Sequence, residues 1–382
     1  MGTGHARCTD AFAAGREAAG AALEGPDPRL LVVFSSQAYE LPRLLEGIRS
    51  AAGGDVPLIG CSTAGEIATA GPGASSVVVT AIGGEGFSVT TGRATGASDR
   101  LRDASAEAAA CARENVGRAH EVLMILTDGL GGDQQEVVRG AYAAVGARVP
   151  LVGGCAGDDL RMQRTFQMHG SAVLQDAVVC ASITSDAPIG IGVQHGWQPV
   201  GEPFVVTDSA SNRIFTLNGQ PALDVYLDRL SPPAEVARDP GAFTRFALTH
   251  PLGIRRRTSA EVRFIAEADF TDRSLGCIAE VPTGGLAWIM EGDEDSVLAA
   301  TDRACTSALA ALAGAAPIGL LAFDCIARRG VLGEEGISME VERVAKHAGG
   351  APVAGFYTYG EIARTRGSNG FHNQTLVVLA LA

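Results

Sequence analysis

Any chemistry in this chain must come from short polar stretches that interrupt long apolar runs. Cys61-Ser62-Thr63 offers a thiol and two hydroxyls, and Cys61 or Ser62 could act as a nucleophile if a base lay near. Glu66 and Glu361 stand three residues after Thr63 and Thr358, and Asp158 stands at a like place after Cys155. Such acids can bind an amine, a cation or a metal, or can receive backbone N–H bonds in a tight turn. His372-Asn373 would set an imidazole and an amide beside Tyr357, Thr358 and Glu361, or would form a turn whose Asn caps local backbone. His195-Gly196-Trp197 places an imidazole next to an indole. Asp128 opens a Gly-rich turn that lacks the lysine of a phosphate loop, and Asp133 reads as the N-cap of the next helix.

These stretches recur, and the recurrence identifies the elements that must carry them. Apolar strands at Leu30 to Phe34, Val122 to Leu126 and Leu320 to Phe323 each lead into a helical stretch. Each then reaches a Pro-apolar-apolar-Gly step at Pro57, Pro150 or Pro352, and each copy closes on another strand. Continuous Val/Leu/Ile runs imply strands buried on both faces, covered by the connecting helices. The expected fold is α/β: mixed sheets covered by helices, built from repeated strand-helix-strand-strand units. The glycine of each step would let backbone turn sharply or approach a neighbour closely. The polar residues after it fall at strand ends, where α/β folds place ligand crevices.

The copies also weigh the functional readings. A ligand rarely needs three equivalent acids, so repetition favours a structural role for Glu66, Asp158 and Glu361. The nucleophile stretch is one residue too long for the G-x-S-x-G elbow. The other copies replace Cys-Ser-Thr with Gly-Cys-Ala and Phe-Tyr-Thr. A hydrolase or transferase using Cys61 or Ser62 with His372 is therefore the minority alternative, and a protein-binding scaffold is a second. Between the second and third copies the texture changes to hairpin-like strands and a short helix near Ala222 to Leu230. This places a boundary near 215, with domains 1–215 and 216–382.

A formal net charge of −13 argues against nucleic acid and against anionic lipid as partners. No apolar run approaches a membrane span, and residues 9–23 read as an amphipathic helix rather than a signal peptide. The eight cysteines form no CxxC pair, which fits a reducing cytoplasm and no zinc site.

From about residue 28 the chain resembles the FIST proteins, a FIST N domain followed by a FIST C domain. The resemblance rests on Gly60 to Glu66, Thr127-Asp128-Gly129, Leu151 to Gly154 and His195-Gly196-Trp197. In the second half it rests on Pro221 to Tyr226, His250 to Gly253, Phe323 to Arg328, Gly360-Glu361-Ile362 and His372 to Thr375. It implies a sensory protein that binds a small molecule and informs a separate signalling chain, such as a histidine kinase or a cyclic-nucleotide enzyme. Some members are haem-binding nitric-oxide sensors, so it makes haem a candidate cofactor, with His195 and His372 as candidate ligands. The strand-end residues Cys61, Ser62, Thr63, Glu66, Asp128, Cys155, Asp158, Tyr357, Thr358, Glu361 and Asn373 become candidates for contact with the ligand.

Overall fold

The computed structural model describes the chain except residues 26, 116, 256–259 and 366–369. The repeat read from the sequence is longer than it seemed, because an outer strand and helix precede each copy. The first copy runs β1 (Gly2–Ala6), α1 (Ala11–Ala22), β2 (Pro28–Ser35), α2 (Leu41–Ala52), β3 (Leu58–Ser62), β4 (Glu66–Ala68), β5 (Gly71–Gly73) and β6 (Val77–Gly83). The second runs β7 (Phe87–Thr95), α3 (Leu101–Ala109), β8 (His120–Thr127), α4 (Gln134–Val145), β9 (Leu151–Cys155), β10 (Gln167–His169), β11 (Ala172–Leu174) and β12 (Ala177–Ser185).

The third copy begins at β13 (Ile189–Gln194) and is then interrupted. The interruption holds β14 (Gln198–Ala210), β15 (Arg213–Leu217), β16 (Gln220–Pro221), α5 (Ala222–Leu230), α6 (Pro240–Ala247) and β17 (Leu252–Arg255). It continues through β18 (Ala260–Arg263), β19 (Ile265–Ala268), β20 (Leu275–Cys277) and β21 (Leu286–Glu291). The copy resumes with α7 (Glu294–Ala310), β22 (Gly319–Cys325), α8 (Ile326–Ala348), β23 (Val353–Thr358), β24 (Glu361–Arg364), β25 (Phe371–His372) and β26 (Leu376–Leu381). Residue 215 falls inside β15.

Three six-stranded sheets share one strand order: β1-β6-β2-β3-β10-β11, β7-β12-β8-β9-β24-β25 and β13-β26-β22-β23-β4-β5. In each, the two central strands are parallel and joined by a crossover helix, α2, α4 or α8. The last two strands of every sheet belong to another copy. The first copy lends β4–β5 to the third, the second lends β10–β11 to the first, and the third lends β24–β25 to the second. The copies thus close into a ring with pseudo-threefold symmetry. Their inner faces meet in one apolar core, where Phe34 stacks on Phe356 at 4.7 Å and Phe323 meets both edge-on.

The glycine of each Pro-apolar-apolar-Gly step has the role expected of it. A Cβ on Gly60, Gly153 or Gly355 would lie 2.5, 1.9 and 1.9 Å from the carbonyl oxygens of Val33, Ile125 and Ala322 on the neighbouring parallel strand. The inserted segment builds its own sheet and apolar core around Tyr226 and Phe243, separate from the ring. One helix differs from the pattern. Periodicity predicts the third crossover helix from Gly336, but α8 starts at Ile326 and breaks at Gly333, where φ is +64°. The extra turn carries Arg328, which pairs with Asp324 near the end of β22.

Candidate functional site

The strand ends after the three glycines are laced together across the pseudo-axis. The amides of Ala64, Gly157 and Tyr359 donate to the carbonyls of Tyr357, Ser62 and Cys155 at 3.0, 3.0 and 3.2 Å. These positions are equivalent, so the lacing repeats with the fold. It leaves the nucleophile candidates committed. Ser62 Oγ donates to Gly157 O at 2.8 Å and accepts from Phe166 N at 2.9 Å. Burial pushes the Cys61 thiol well above its ordinary value, and burial with nearby Glu361 does the same to Cys155. Among the described residues no hydrogen bond joins His372 to Cys61 or Ser62.

Glu66 and Glu361 form matched units. Glu66 accepts from Ser76 N at 3.2 Å, from the Ser76 hydroxyl at 2.5 Å and from the Thr63 hydroxyl. Glu361 accepts from Thr375 N at 3.1 Å, from the Thr375 hydroxyl at 2.8 Å and from the Thr358 hydroxyl at 2.6 Å. Burial raises both carboxyls to about 7, against the opposing pull of these hydrogen bonds. Thr63, Glu66, Thr358 and Glu361 are therefore clamps for the exchanged hairpins.

The sequence reading of Asp158 needs correction. Counting from Pro150 does not bring it level with the two glutamates, and it makes different bonds. Its carboxylate accepts from the amides of Met162, Gln163 and Arg164 and from the Tyr359 hydroxyl, which fastens the loop 158–164. The true counterpart is Gln167. It faces Cys61 across the ladder as Glu361 faces Gly154 and Glu66 faces Phe356. Its Oε1 accepts from Ala177 N at 3.2 Å, as the glutamates do from the residues opening β6 and β26. Eight extra residues in the second copy hide this match from the sequence. Asp128 caps its own turn, accepting from Leu130 N and from the Thr165 hydroxyl.

A cluster absent from the sequence-based candidates lies under α8. Arg328 Nε donates to Asp324 Oδ1 at 2.7 Å, and its other nitrogens reach Glu340, Thr301 Oγ1 at 3.0 Å and His195 O at 3.2 Å. Arg328, Asp324 and Glu340 are all buried. Burial pushes the Asp324 carboxyl well up, whereas at Glu340 burial is outweighed by the Arg328 charge together with hydrogen bonds from Asp324, Thr301 and Arg328, and the carboxyl is lowered. The Asp324–Arg328 spacing of four residues was the available signal. Tyr357 closes this cluster from the axis side, with the Arg329 guanidinium 5.2 Å above its ring.

His195, His372 and Asn373 come together at a different place, where the third copy meets the inserted segment. Burial lowers His195 to about 4, with the Arg328 and His372 charges acting in the same direction. His372 is also lowered by burial. The two rings differ as possible metal ligands. His195 Nδ1 accepts from Trp197 N at 3.1 Å, which puts the neutral ring's proton on Nε2. His372 Nε2 lies 2.9 Å from Ala363 O, a carbonyl that only accepts, so Nε2 donates and Nδ1 is left unprotonated, the arrangement usual in a metal-bound histidine. Among the described residues no group of three or more His, Cys, Asp or Glu is placed to hold a metal ion.

Asn373 is 1% exposed, yet among the described residues neither its Nδ2 nor its Oδ1 has a partner. Next to it, Gln374 Nε2 donates to Leu248 O at 2.8 Å and its backbone carbonyl accepts from the Trp197 indole at 3.1 Å, while Oε1 has no partner. The inserted segment thus roofs a turn that carries two amides.

A ring of three α/β units with a domain-sized insertion defines the class of scaffold. Family comparison matches the FIST N domain over residues 29–220 and the FIST C domain over residues 222–364. The chain belongs to the FIST family of sensory domains, whose members bind small ligands in signal transduction. It is similar to an uncharacterized protein of Mycobacterium tuberculosis, 26% identical over 230 residues, covering 59% of each chain. It is also similar to an uncharacterized protein of Methanocaldococcus jannaschii, 29% identical over 113 residues, covering 28% of this chain and 22% of the relative. The chain spans about 59% of the length of the mycobacterial relatives it matches. Among the described residues no helix is long and apolar enough to cross a membrane.

Proposed function

We propose that the chain is a small-molecule sensor whose ligand sits between the third copy and the inserted segment. A separate chain, such as a histidine kinase or a cyclic-nucleotide enzyme, reads the bound state. The carrying observation is the Asn373 side chain, buried with both polar atoms unpartnered. A buried polar group without a partner costs about 1–3 kcal/mol, and a ligand that supplied one would recover it. The equivalent turns support this reading. Ala74 and Gln175, the counterparts of Asn373, are exposed, so a polar side chain there ordinarily faces water.

Arg328 offers a route from such a site to the outside. It touches His195 at the junction, Thr301 on α7 and Glu340 on the far side of the α8 break. A ligand that favours one placement of the inserted segment shifts the population of arrangements that Arg328 ties together. Haem, if bound, would be held by His372 through Nδ1 rather than by His195, whose Nδ1 is committed to Trp197 N. Eight unpaired cysteines agree with a cytoplasmic setting. A thermal-shift screen of neutral and charged metabolites tests the proposal. Ligands that raise the melting temperature of the wild type and not of Asn373→Leu support it, and a full screen without a hit contradicts it.

A further inference from the structure

Resting on the sensor reading above, we infer that the buried turn at Asn373 takes a small neutral molecule with an amide-like edge, as in a carboxamide, a lactam or a cyclic ureide. Asn373 presents a donor and an acceptor side by side, and Gln374 Oε1 adds a second acceptor. The natural complement is a planar group carrying an N–H beside a C=O.

The cations around the turn are already committed. Arg328 is already shared by Asp324 and Glu340, and Arg263 is paired with Glu261 at 2.8 Å. Arg303, the other cation acting on His195, is exposed to solvent. Both histidines are neutral near pH 7, because burial holds them below their ordinary value. An anionic ligand would have to leave water without a counter-charge, which is far more costly than desolvating an amide. Trp197 and Leu248 bound the turn with apolar surface while holding Gln374 in place. A surface cleft of about 440 Å³ is lined by Gln198 and Thr249, the chain neighbours of Trp197 and Leu248, together with His250, Glu291 and Asp293.

The test is titration calorimetry with nicotinamide, uracil and hydantoin as neutral probes, and benzoate and benzylamine as charged ones. The variants are Asn373→Leu, Asn373→Asp and Gln175→Leu. Asn373→Asp keeps the shape and removes the donor, so the test survives if Asn373→Leu fails to fold. Gln175→Leu changes the exposed counterpart in the second copy. We expect a neutral probe to bind the wild type, to weaken about tenfold or more in both Asn373 variants, and to be unaffected by Gln175→Leu. A charged probe that depends on Asn373 would overturn the ligand class and leave the sensor site standing. Binding that ignores Asn373 would overturn the site itself. No binding by any probe, with Asn373→Leu more stable than wild type, would overturn both, since the amide would then be only an uncompensated polar group.

Discussion

Gln167 occupies in the second copy the place that Glu361 holds in the third: each lies opposite the same strand-end position and accepts a backbone amide from the start of the closing strand. An amide at one site and carboxyls at two make the same bond to a backbone N–H, so the position needs an acceptor oxygen there.

This bears on pH. Glu66 and Glu361 are raised from an ordinary 4.5 to about 7, so between those values the folded chain holds more protons than the unfolded one. Stability is therefore greatest below the window and falls as the pH rises through it. Urea unfolding from about pH 4.5 to about pH 8 should show that decline, and Glu66→Gln with Glu361→Gln should flatten it. Glu361→Leu, which strands the Thr375 amide, should cost about 1–3 kcal/mol at every pH.

Arg328 pairs with buried Asp324 and Glu340. Arg328→Met leaves the buried Glu340 carboxylate without its counter-charge and should cost about 3–5 kcal/mol by denaturant titration. Arg328→Lys should not restore the loss, because one ammonium cannot reach Asp324, Glu340, Thr301 and His195 O together.

The parallel strands touch through glycine. Gly153→Ala or Gly355→Ala puts a methyl group within 2 Å of a backbone oxygen, by the 1.9 Å approach each Cβ would make. Both variants should lose the cooperative unfolding transition, whereas alanine at Gly20, which has open space around its Cβ position, should keep it.

Thiol labelling separates a sensor from a Cys61 enzyme. Cys8 is part-exposed and the other seven cysteines are buried. A colorimetric disulfide reagent should modify Cys8 alone in the folded chain. Rapid labelling of Cys61 would contradict its burial and revive the nucleophile.

Much of the ring was legible in the sequence because its strands are unbroken apolar runs and its glycines recur at one offset. The exchange of hairpins was not legible, since β4, β10 and β24 are only three or four residues long and carry no period of their own. The outer strands β1 and β7 were missed for a related reason. They mix Gly, Thr and Ser with few large apolar residues. At the site, His195, His372 and Asn373 were named, but their meeting depends on the inserted segment folding over the third copy, a contact between distant stretches that spacing cannot express. Asp158 was misplaced because the second copy carries a longer loop before β10.

Amide hydrogen exchange with and without the tightest-binding probe of the calorimetric series is the most direct measurement. A ligand between the third copy and the inserted segment should slow exchange in residues 195–198, 246–250 and 372–376 together, with little change in the first two copies. Slowing confined to the first or second copy, or no change while the probe binds, would contradict a sensory site at this junction.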